Sequence, residues 1–413
     1  MKLTELQLEQ IRNQIRRVKE FGNPFYLKKF KNVNPEDIKT QEDFENFVPF
    51  ITKHELRDAY PLGLSTIPEE EIVRIHSSSG TTGAPVIIPY SKKDIEDWSI
   101  MFARCFELAG ITNKDRLQIT PGYGLWTAGI GFQAGCERLG AMAIPTGPGN
   151  TERQLLMMQD LKTTVICATS SYALLLAEEV EKRGLKDKIC LKKGIIGSER
   201  CGEKMRNRIK NYLGIEYFDI YGLTECYGPG IGISCQGEDA INIFDDYVYI
   251  EILDPLTGKP VPKGEIGEIT LTTLVKEGAP LFRFRTHDLA AFVKEPSKNG
   301  LKYPRITPIL GRSDDMVKVR GNIIYPDSIE DAIKSVPGLS SEYHAVIEHI
   351  NGKDKITVFV EAEEGTDRTK ASLSVINSFK QNYNFTPEVK VLGIGELPRS
   401  EKKSKRIEDR RFE

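Results

Sequence analysis

From Leu3 to Phe21 apolar residues recur at helical spacing among charges, and Pro24 stops the pattern, which predicts an amphipathic N-terminal helix. Between Ile72 and Leu274 short β-branched runs alternate with amphipathic segments. Leu117–Ile119, Met142–Ile144, Val165–Ala168, Gly194–Ile196 and Tyr217–Ile220 read as buried strands. Strand and helix in alternation predict an α/β layer fold. From Asp246 to Leu274 the strands are punctuated by Asp254-Pro255, Thr257-Gly258 and Lys263-Gly264, which predicts antiparallel hairpins and a small β subdomain. After Gly311 the pattern gives a helix near Pro326 to Val336, strands at His344–His349 and Lys355–Ala362, a helix at Arg368–Tyr383 and a strand at Glu388–Ile394. That is enough for a compact α+β domain of about one hundred residues. The expected division is residues 1–311 and residues 312–413.

Charge removes several function classes. Lys and Arg number 57 against 59 for Asp and Glu, so a net charge of -2 offers no electrostatic reason for nucleic acid or an anionic membrane as partner. The apolar runs fall far short of the roughly 20 residues of a membrane span. Residues 1–34 lack the apolar core of a secretory signal, and a cytoplasmic location is the expectation. The seven cysteines are scattered, with no C-x-x-C pair, which suits reduced thiols better than metal ligands.

Four segments carry candidate chemistry. Ser77 to Pro85 is dense in hydroxyls and glycines after an apolar run, and such a loop can wrap its N–H groups around phosphate oxygens. It is not a Walker A loop, and by composition alone it suits a flexible surface loop equally well. Asp219-Ile-Tyr221-Gly-Leu-Thr224-Glu225 sits at the end of a predicted strand, where open α/β sheets bind ligands. Arg283 to Asp288, followed later by Gly311-Arg312-Ser313-Asp314-Asp315, offers a carboxylate and a guanidinium that could share a ribose, or a surface ion-pair network. The basic stretch Leu397 to Arg406, read by charge alone, is a solvated tail.

The order and spacing of these segments resemble the adenylate-forming superfamily of acyl-CoA synthetases, peptide-synthetase adenylation domains and luciferases. Within it the chain is similar to the phenylacetate-CoA ligase family. The resemblance rests on Ser-Ser-Gly-Thr-Thr-Gly at 78 to 83, Tyr-Gly-Leu-Thr-Glu at 221 to 225, Gly-Pro-Gly at 228 to 230 and Gly-Arg-Ser-Asp-Asp-Met at 311 to 316, with Tyr123-Gly-Leu-Trp126 and Gly149-Asn-Thr-Glu-Arg-Gln154 particular to that branch. It implies a large N-terminal adenylation domain of layered sheets and helices and a small mobile C-terminal lid. It implies ATP, Mg²⁺ and coenzyme A as co-substrates of a reaction that turns a carboxylic acid, aryl or arylacetic, into an acyl-AMP and then a thioester.

Residue by residue, the resemblance implies a phosphate loop at Ser78, Ser79, Gly80, Thr81, Thr82 and Gly83, and further nucleotide contacts at Gly197, Ser198, Glu199, Asp219 and Gly222. Tyr221 would flank adenine, Thr224 and Glu225 would serve the α-phosphate and Mg²⁺, and Asp288 and Arg312 would hold the ribose. Tyr123, Trp126, Gly197 and Gly222 would line the acyl pocket, Asp314 would be the hinge, and Gly321 would line the coenzyme A channel. Lys403 would be the adenylation lysine, although Lys402 also qualifies and only the spacing to Arg399-Ser400 favours Lys403.

Departures from the family pattern sharpen the expectations. Ala84 stands where many relatives have Lys, which removes one mobile cation from the loop. Some relatives carry zinc on a Cys, a His and a later Cys-x-Cys run; here Cys235 has the first place, Asn242 replaces the His and no Cys follows, so no zinc is expected. Trp126 and Pro121 replace Phe and Tyr of typical phenylacetate ligases and reshape the pocket. Two other readings remain: adenylation with a different acceptor, as in coenzyme F390 synthetase or an amide ligase, and a non-catalytic binding protein. Relatives are often homodimers, so self-association is also expected.

Overall fold

Thr4 opens the first helix. Its hydroxyl accepts from the Gln7 N–H, the Gln7 side chain accepts from the Thr4 N–H, and this capping box starts Glu5–Phe21. Gly22 ends it at φ 80°, in the left-handed region that glycine adopts without strain. Leu8, Ile11, Ile15 and Val18 are buried along one face, as the periodicity predicts. Asn23 then accepts from the Phe25 N–H and caps the short helix Pro24–Lys29.

The computed structural model describes residues 2–78, 85–314, 317–319, 322–324, 326–350, 353–383, 386–399 and 406–411. They pack as two compact units. The first comprises residues 1–148, 163–167 and 218–309. In it Arg116–Ile119 pairs in parallel with Met142–Ile144 on one side and with the start of Val165–Thr169 on the other, in the register Leu117 to Ala143 and Leu117 to Val165. These strands fall on the runs the hydrophobic pattern singles out, but Met142–Ile144, expected to be buried, is the edge of its sheet and leaves Met142 50% exposed. Gly228–Cys235 pairs antiparallel with the end of Glu216–Leu223 and with Glu238–Ile243. A separate antiparallel sheet joins Val248–Leu253, Gly267–Thr273 and Phe284–Ala290. Its first two strands are the predicted hairpin region; the third falls in the segment singled out for its charges.

The helices Lys92–Leu108 and Ala128–Leu139 meet through glycine. A Cβ on Gly135 would lie 2.4 Å from the Cβ of Phe102 and 3.1 Å from its carbonyl carbon. Phe102, Phe106 and Phe132 fill the space this close approach leaves, with ring centroids 5.1–6.4 Å apart.

The second unit comprises residues 149–162, 168–217 and 310–413. It holds the helices Thr151–Asp160, Ser170–Lys182 and Glu203–Leu213, the strand Lys193–Gly197, and a four-stranded sheet ordered Glu388–Gly393, Lys353–Ala362, Leu339–Ile350, Ile407–Asp409. The central pair is antiparallel and both edge pairings are parallel. Ile329, Ile333, Val358, Val360, Val375 and Phe379 lie in its hydrophobic core, contributed by the sheet and by the helices Pro326–Lys334 and Arg368–Tyr383. The hydrophobic pattern predicts the strand Lys193–Gly197, both helices after residue 326 and every strand of this sheet except Ile407–Asp409, a three-residue edge strand inside a charged tail.

Among the described residues no helix is long and apolar enough to cross a membrane, and all seven cysteines are free.

Gly135→Ala should destabilise the fold by about 1–3 kcal/mol, because overpacking against the Phe102 backbone outweighs the roughly 1 kcal/mol that alanine gains over glycine in a helix. Urea unfolding measures it; a variant more stable than wild type contradicts this packing.

Candidate functional site

Two strands, Arg74–Ser77 and Ile87–Tyr90, form a hairpin in the register Ser77 to Ile87. Its neck is tied twice at Ser78. The Ser78 N–H donates to the Val86 carbonyl and the Val86 N–H donates to the Ser78 hydroxyl, each at 3.0 Å. Of the predicted phosphate loop, Ser79, Gly80, Thr81, Thr82 and Gly83 lie outside the described residues, as do Gly321 and Lys403.

The neck is joined to the predicted acyl segment. The Ser77 N–H donates to the Leu125 carbonyl at 2.9 Å, and His76 Nδ1 lies 3.1 Å from the same oxygen. Tyr123, which is exposed, and Trp126, which is half-buried, lie on either side of Leu125, with the Trp126 ring 3.6 Å from where a Cβ on Gly122 would sit. Burial pushes the Tyr123 hydroxyl up to about 12, so it stays a neutral donor at physiological pH.

Past Ile220 the strand Glu216–Leu223 continues through Tyr221 and Gly222, which the sequence pattern leaves in a loop. Gly222 allows the continuation, since a Cβ there would lie 2.1 Å from the Gly228 carbonyl oxygen. Thr224 to Tyr227 then turn the chain back into Gly228–Cys235, with the Cys226 N–H donating to the Leu223 carbonyl. The Thr224 hydroxyl is 3.5 Å from that of Thr127, which precedes the helix Ala128–Leu139 and gives it no side-chain cap. An uncapped helix N-terminus favours negative charge nearby.

Two carboxylates serve this turn. Tyr221, buried, donates its hydroxyl to Asp288 Oδ2 at 2.9 Å. Burial first, and then the Asp288 charge, hold the phenol well above its ordinary value. Asp288 reaches it because Phe284–Ala290 is bulged against Gly267–Thr273: the register shifts between Glu268 and Thr270, and His287 sits at φ 66°. The Thr286 hydroxyl accepts from the Asp288 N–H and donates to the Ile269 carbonyl, which fixes the bulge.

Glu225 is the second carboxylate, 3% exposed, with Oε1 at 2.9 Å from Lys53 Nζ. The contact is an ion pair whose angles fall outside those of a hydrogen bond, so the lone pairs of Oε1 remain open to another cation. Lys53 opens the helix Lys53–Asp58 behind the capping box of Thr52 and Glu55. Nothing in the sequence connects it to Glu225. Lys276 was missed for the same reason. Wholly buried, its ammonium stands 3.8 Å from the Tyr90 ring centroid, 4.2 Å from that of Tyr227 and 4.0 Å from Asp94 Oδ2. It thus supports the residue two positions after Glu225.

The remaining predicted residues have local partners. Asp219 donates its N–H to the Ser234 hydroxyl. In the second unit Gly197 ends the strand Lys193–Gly197, Ser198 has φ 68°, and the Ser170 and Ser171 hydroxyls hold the Glu199 carbonyl and carboxylate. Arg312 makes a bidentate pair with Asp314, both contacts at 2.9 Å, so the predicted ribose ligand and the predicted hinge bind each other. Cys235 Sγ accepts from Asn299, and Asn242 donates to the Ile233 carbonyl. No group of three metal-ligating side chains occurs among the described residues.

A family model described as AMP-binding enzyme matches residues 24–273, and one described as AMP-binding enzyme C-terminal domain matches residues 321–411. The phenylacetate-coenzyme A ligase of Pseudomonas putida is 36% identical over 99% of this chain and 94% of its own length. The chain belongs to the AMP-binding enzyme family, in its phenylacetate-CoA ligase branch. The phenylacetate-coenzyme A ligase of Escherichia coli K12 is 37% identical, over 94% of this chain and 90% of its own. Among solved structures, 2-hydroxyisobutyryl-CoA ligase in the postadenylation state with 2-HIB-AMP superposes with a TM-score of 0.88 at 27% identity, covering 98% of this chain and 88% of that one. ATP-bound MatB from Rhodopseudomonas palustris, at 20% identity and a TM-score of 0.61, shares the fold.

In this AMP-binding enzyme His76 gives the site a measurable pH signature. The imidazole is buried, edge-on to Tyr90 and Trp98, and its Nε2 has no hydrogen-bond partner among the described residues. Burial pushes its pKa down to about 4. A depressed value means that the unfolded chain binds the proton first. The stability contribution is therefore complete above the ordinary histidine value and is lost as pH falls toward 4. Between pH 7 and pH 5 wild type should lose about 1–2 kcal/mol more than His76→Phe. Parallel denaturation curves for the two proteins across that window contradict the assignment.

Proposed function

We propose that this protein uses ATP to activate a carboxylic acid, aryl or arylacetic, as an acyl-AMP, and then passes the acyl group to coenzyme A. The observation that carries the reading is the pair of carboxylates at one strand end: Asp288 held by Tyr221, and Glu225 buried beside the Lys53 ammonium. A carboxylate at the strand end suits a ribose diol, and the open lone pairs of Glu225 Oε1 suit a cation. The names of the relatives, phenylacetate-coenzyme A ligase, supply the acid and the acceptor.

In the first half-reaction a substrate carboxylate oxygen bonds to the α-phosphorus and pyrophosphate leaves. Both reactants are anionic, so the barrier is lowered chiefly by alignment and by charge stabilisation. The loop from Ser78 to Gly83 is assigned to the phosphates, Thr224 to the α-phosphate, Tyr221 to adenine and Asp288 to the ribose. Arg312, Gly197, Ser198, Glu199, Asp219 and Gly222 retain their nucleotide roles in this proposal. Glu225 fits Mg²⁺, because its Oε1 already accepts a cation at 2.9 Å and keeps its lone pairs open; the ion would neutralise triphosphate charge. Lys403 stabilises charge on the transferring group.

In the second half-reaction the thiol adds to the acyl carbon and AMP leaves. Tyr123, Trp126, Gly197 and Gly222 are assigned to the acyl group. Gly321 is assigned to the pantetheine channel, Asp314 to the hinge of a lid that starts at residue 312, and a cytoplasmic homodimer completes the proposal. Trp126, larger than the Phe of typical relatives, shifts preference among aryl acids by only about 1–3 kcal/mol per methylene of space.

Pyrophosphate release from Mg-ATP against a panel of aryl, arylacetic and aliphatic acids, with and without coenzyme A, tests the reading. One aryl or arylacetic acid should give coenzyme A-dependent turnover that Lys403→Ala lowers about 100-fold or more. Release with no acid on the panel, or turnover indifferent to coenzyme A, overturns it.

A further inference from the structure

Arg399 precedes Lys403 by four residues and uses its whole guanidinium. On one side it holds Glu361, with Nη1 to Oε1 at 2.9 Å and Nη2 to Oε2 at 2.8 Å. On the other it holds Glu178 of the helix Ser170–Lys182, with Nε to Oε2 at 2.9 Å and Nη2 to Oε1 at 3.0 Å. The two carboxylates differ in kind. Glu361, on the strand Lys353–Ala362, is fully buried and also accepts from the Gly395 and Leu397 N–H groups, so it ties that strand to the segment carrying Arg399 and travels with it. Glu178 lies in a part of the chain remote in sequence, where Arg208 supports it at 2.9 Å.

A second contact joins the same two parts of the chain. Lys204, near the start of the helix Glu203–Leu213, donates to the carbonyls of Ile333, Val336 and Leu339, at and beyond the end of the helix Pro326–Lys334. In return Glu330 of that helix pairs with Arg200 at 2.9 Å and sits at the N-terminus of Glu203–Leu213. Gly202 makes room for it: a Cβ there would lie 1.2 Å from Glu330 Oε1. Each helix thus supplies the charge that the other's terminus favours. The named contacts are ion pairs and hydrogen bonds, the kind of join that can form and part repeatedly.

We propose that Glu178, Gly202 and Lys204 form a docking seat for the C-terminal domain, and that Arg399, seated on Glu178, positions Lys403 for the adenylation half-reaction. Four residues reach at most about 14 Å, so fixing Arg399 fixes where Lys403 can act. Thioester formation, in which Lys403 takes no part, proceeds with the seat released. The proposal rests on the reading of Lys403 as the adenylation lysine. Glu178, Gly202 and Lys204 are positioning residues and touch no reactant.

The test measures the half-reactions separately in the full chain, with phenylacetate as first probe acid. Adenylation is read as acid-dependent exchange of labelled pyrophosphate into ATP without coenzyme A. Thioester formation is read as single-turnover consumption of synthetic phenylacetyl-AMP with coenzyme A. Glu178→Ala should slow exchange about tenfold and leave thioester formation within about twofold. Gly202→Ala is the second variant. Its backbone, at φ -66° and ψ 165°, suits alanine, so it expels the Glu330 carboxylate without straining the helix start. It should show the same split. Equal loss in both half-reactions, or no loss in either, overturns the seat while wild-type exchange upholds the function. A wild-type enzyme that exchanges no pyrophosphate with phenylacetate or any panel acid overturns the function and the seat together.

Discussion

A carboxylate buried to the extent of Glu225 must be paired with a cation or lose its charge, because desolvation penalises the ionised form by several kcal/mol. Lys53 supplies that cation from a helix contributed by the first sixty residues, and it does so through charge alone, without a well-aligned hydrogen bond. The arrangement offsets the desolvation of the Glu225 carboxylate and leaves the lone pairs of Oε1 available. Much of the surrounding architecture serves to hold that carboxylate where it is. Gly222 lets two strands converge to within a distance no side chain would permit, and the chain reverses directly through Thr224 and Glu225.

Behind the turn lies a second device with the same logic. Lys276 is buried between the faces of Tyr90 and Tyr227, and the Tyr90 hydroxyl donates to the Tyr227 carbonyl. The Lys276 carbonyl is in turn held from outside by Gln14 and Arg17 of the first helix. An N-terminal helix distant from the chemistry thereby steadies, through one loop and one buried ammonium, the residues that follow Glu225. Cation–π contact in a desolvated site is worth about 2 kcal/mol, which partly offsets the cost of burying the lysine.

Elements defined by local periodicity were legible in the sequence. The helix Glu5–Phe21, the parallel strands around Leu117 and Val165, and, Ile407–Asp409 apart, the sheet and helices after residue 326 appear where hydrophobic spacing puts them. Individual site residues were legible as types, since Tyr221, Asp288 and Glu225 stand out by their chemistry. Their partnerships were not. Tyr221 and Asp288 were singled out separately and turn out to be joined by a hydrogen bond, and Arg312 and Asp314, assigned to different tasks, hold each other. Lys53 and Lys276 left no local trace, because an ion pair between residues far apart in the chain depends on the fold that joins them. The bulge that aims Asp288 is equally silent: it arises from a register shift between two strands and from a histidine in a left-handed conformation.

One substrate carboxylate oxygen attacks the α-phosphorus, and it leaves the acyl carbon, as part of AMP, only when a thiol arrives. Turnover of a carboxylic acid labelled with ¹⁸O in both oxygens, with ATP and coenzyme A, tests it directly by mass spectrometry of the AMP. The account predicts one ¹⁸O in the AMP phosphate, carried there by the acyl-AMP bridge. Unlabelled AMP, formed alongside the thioester, would contradict it.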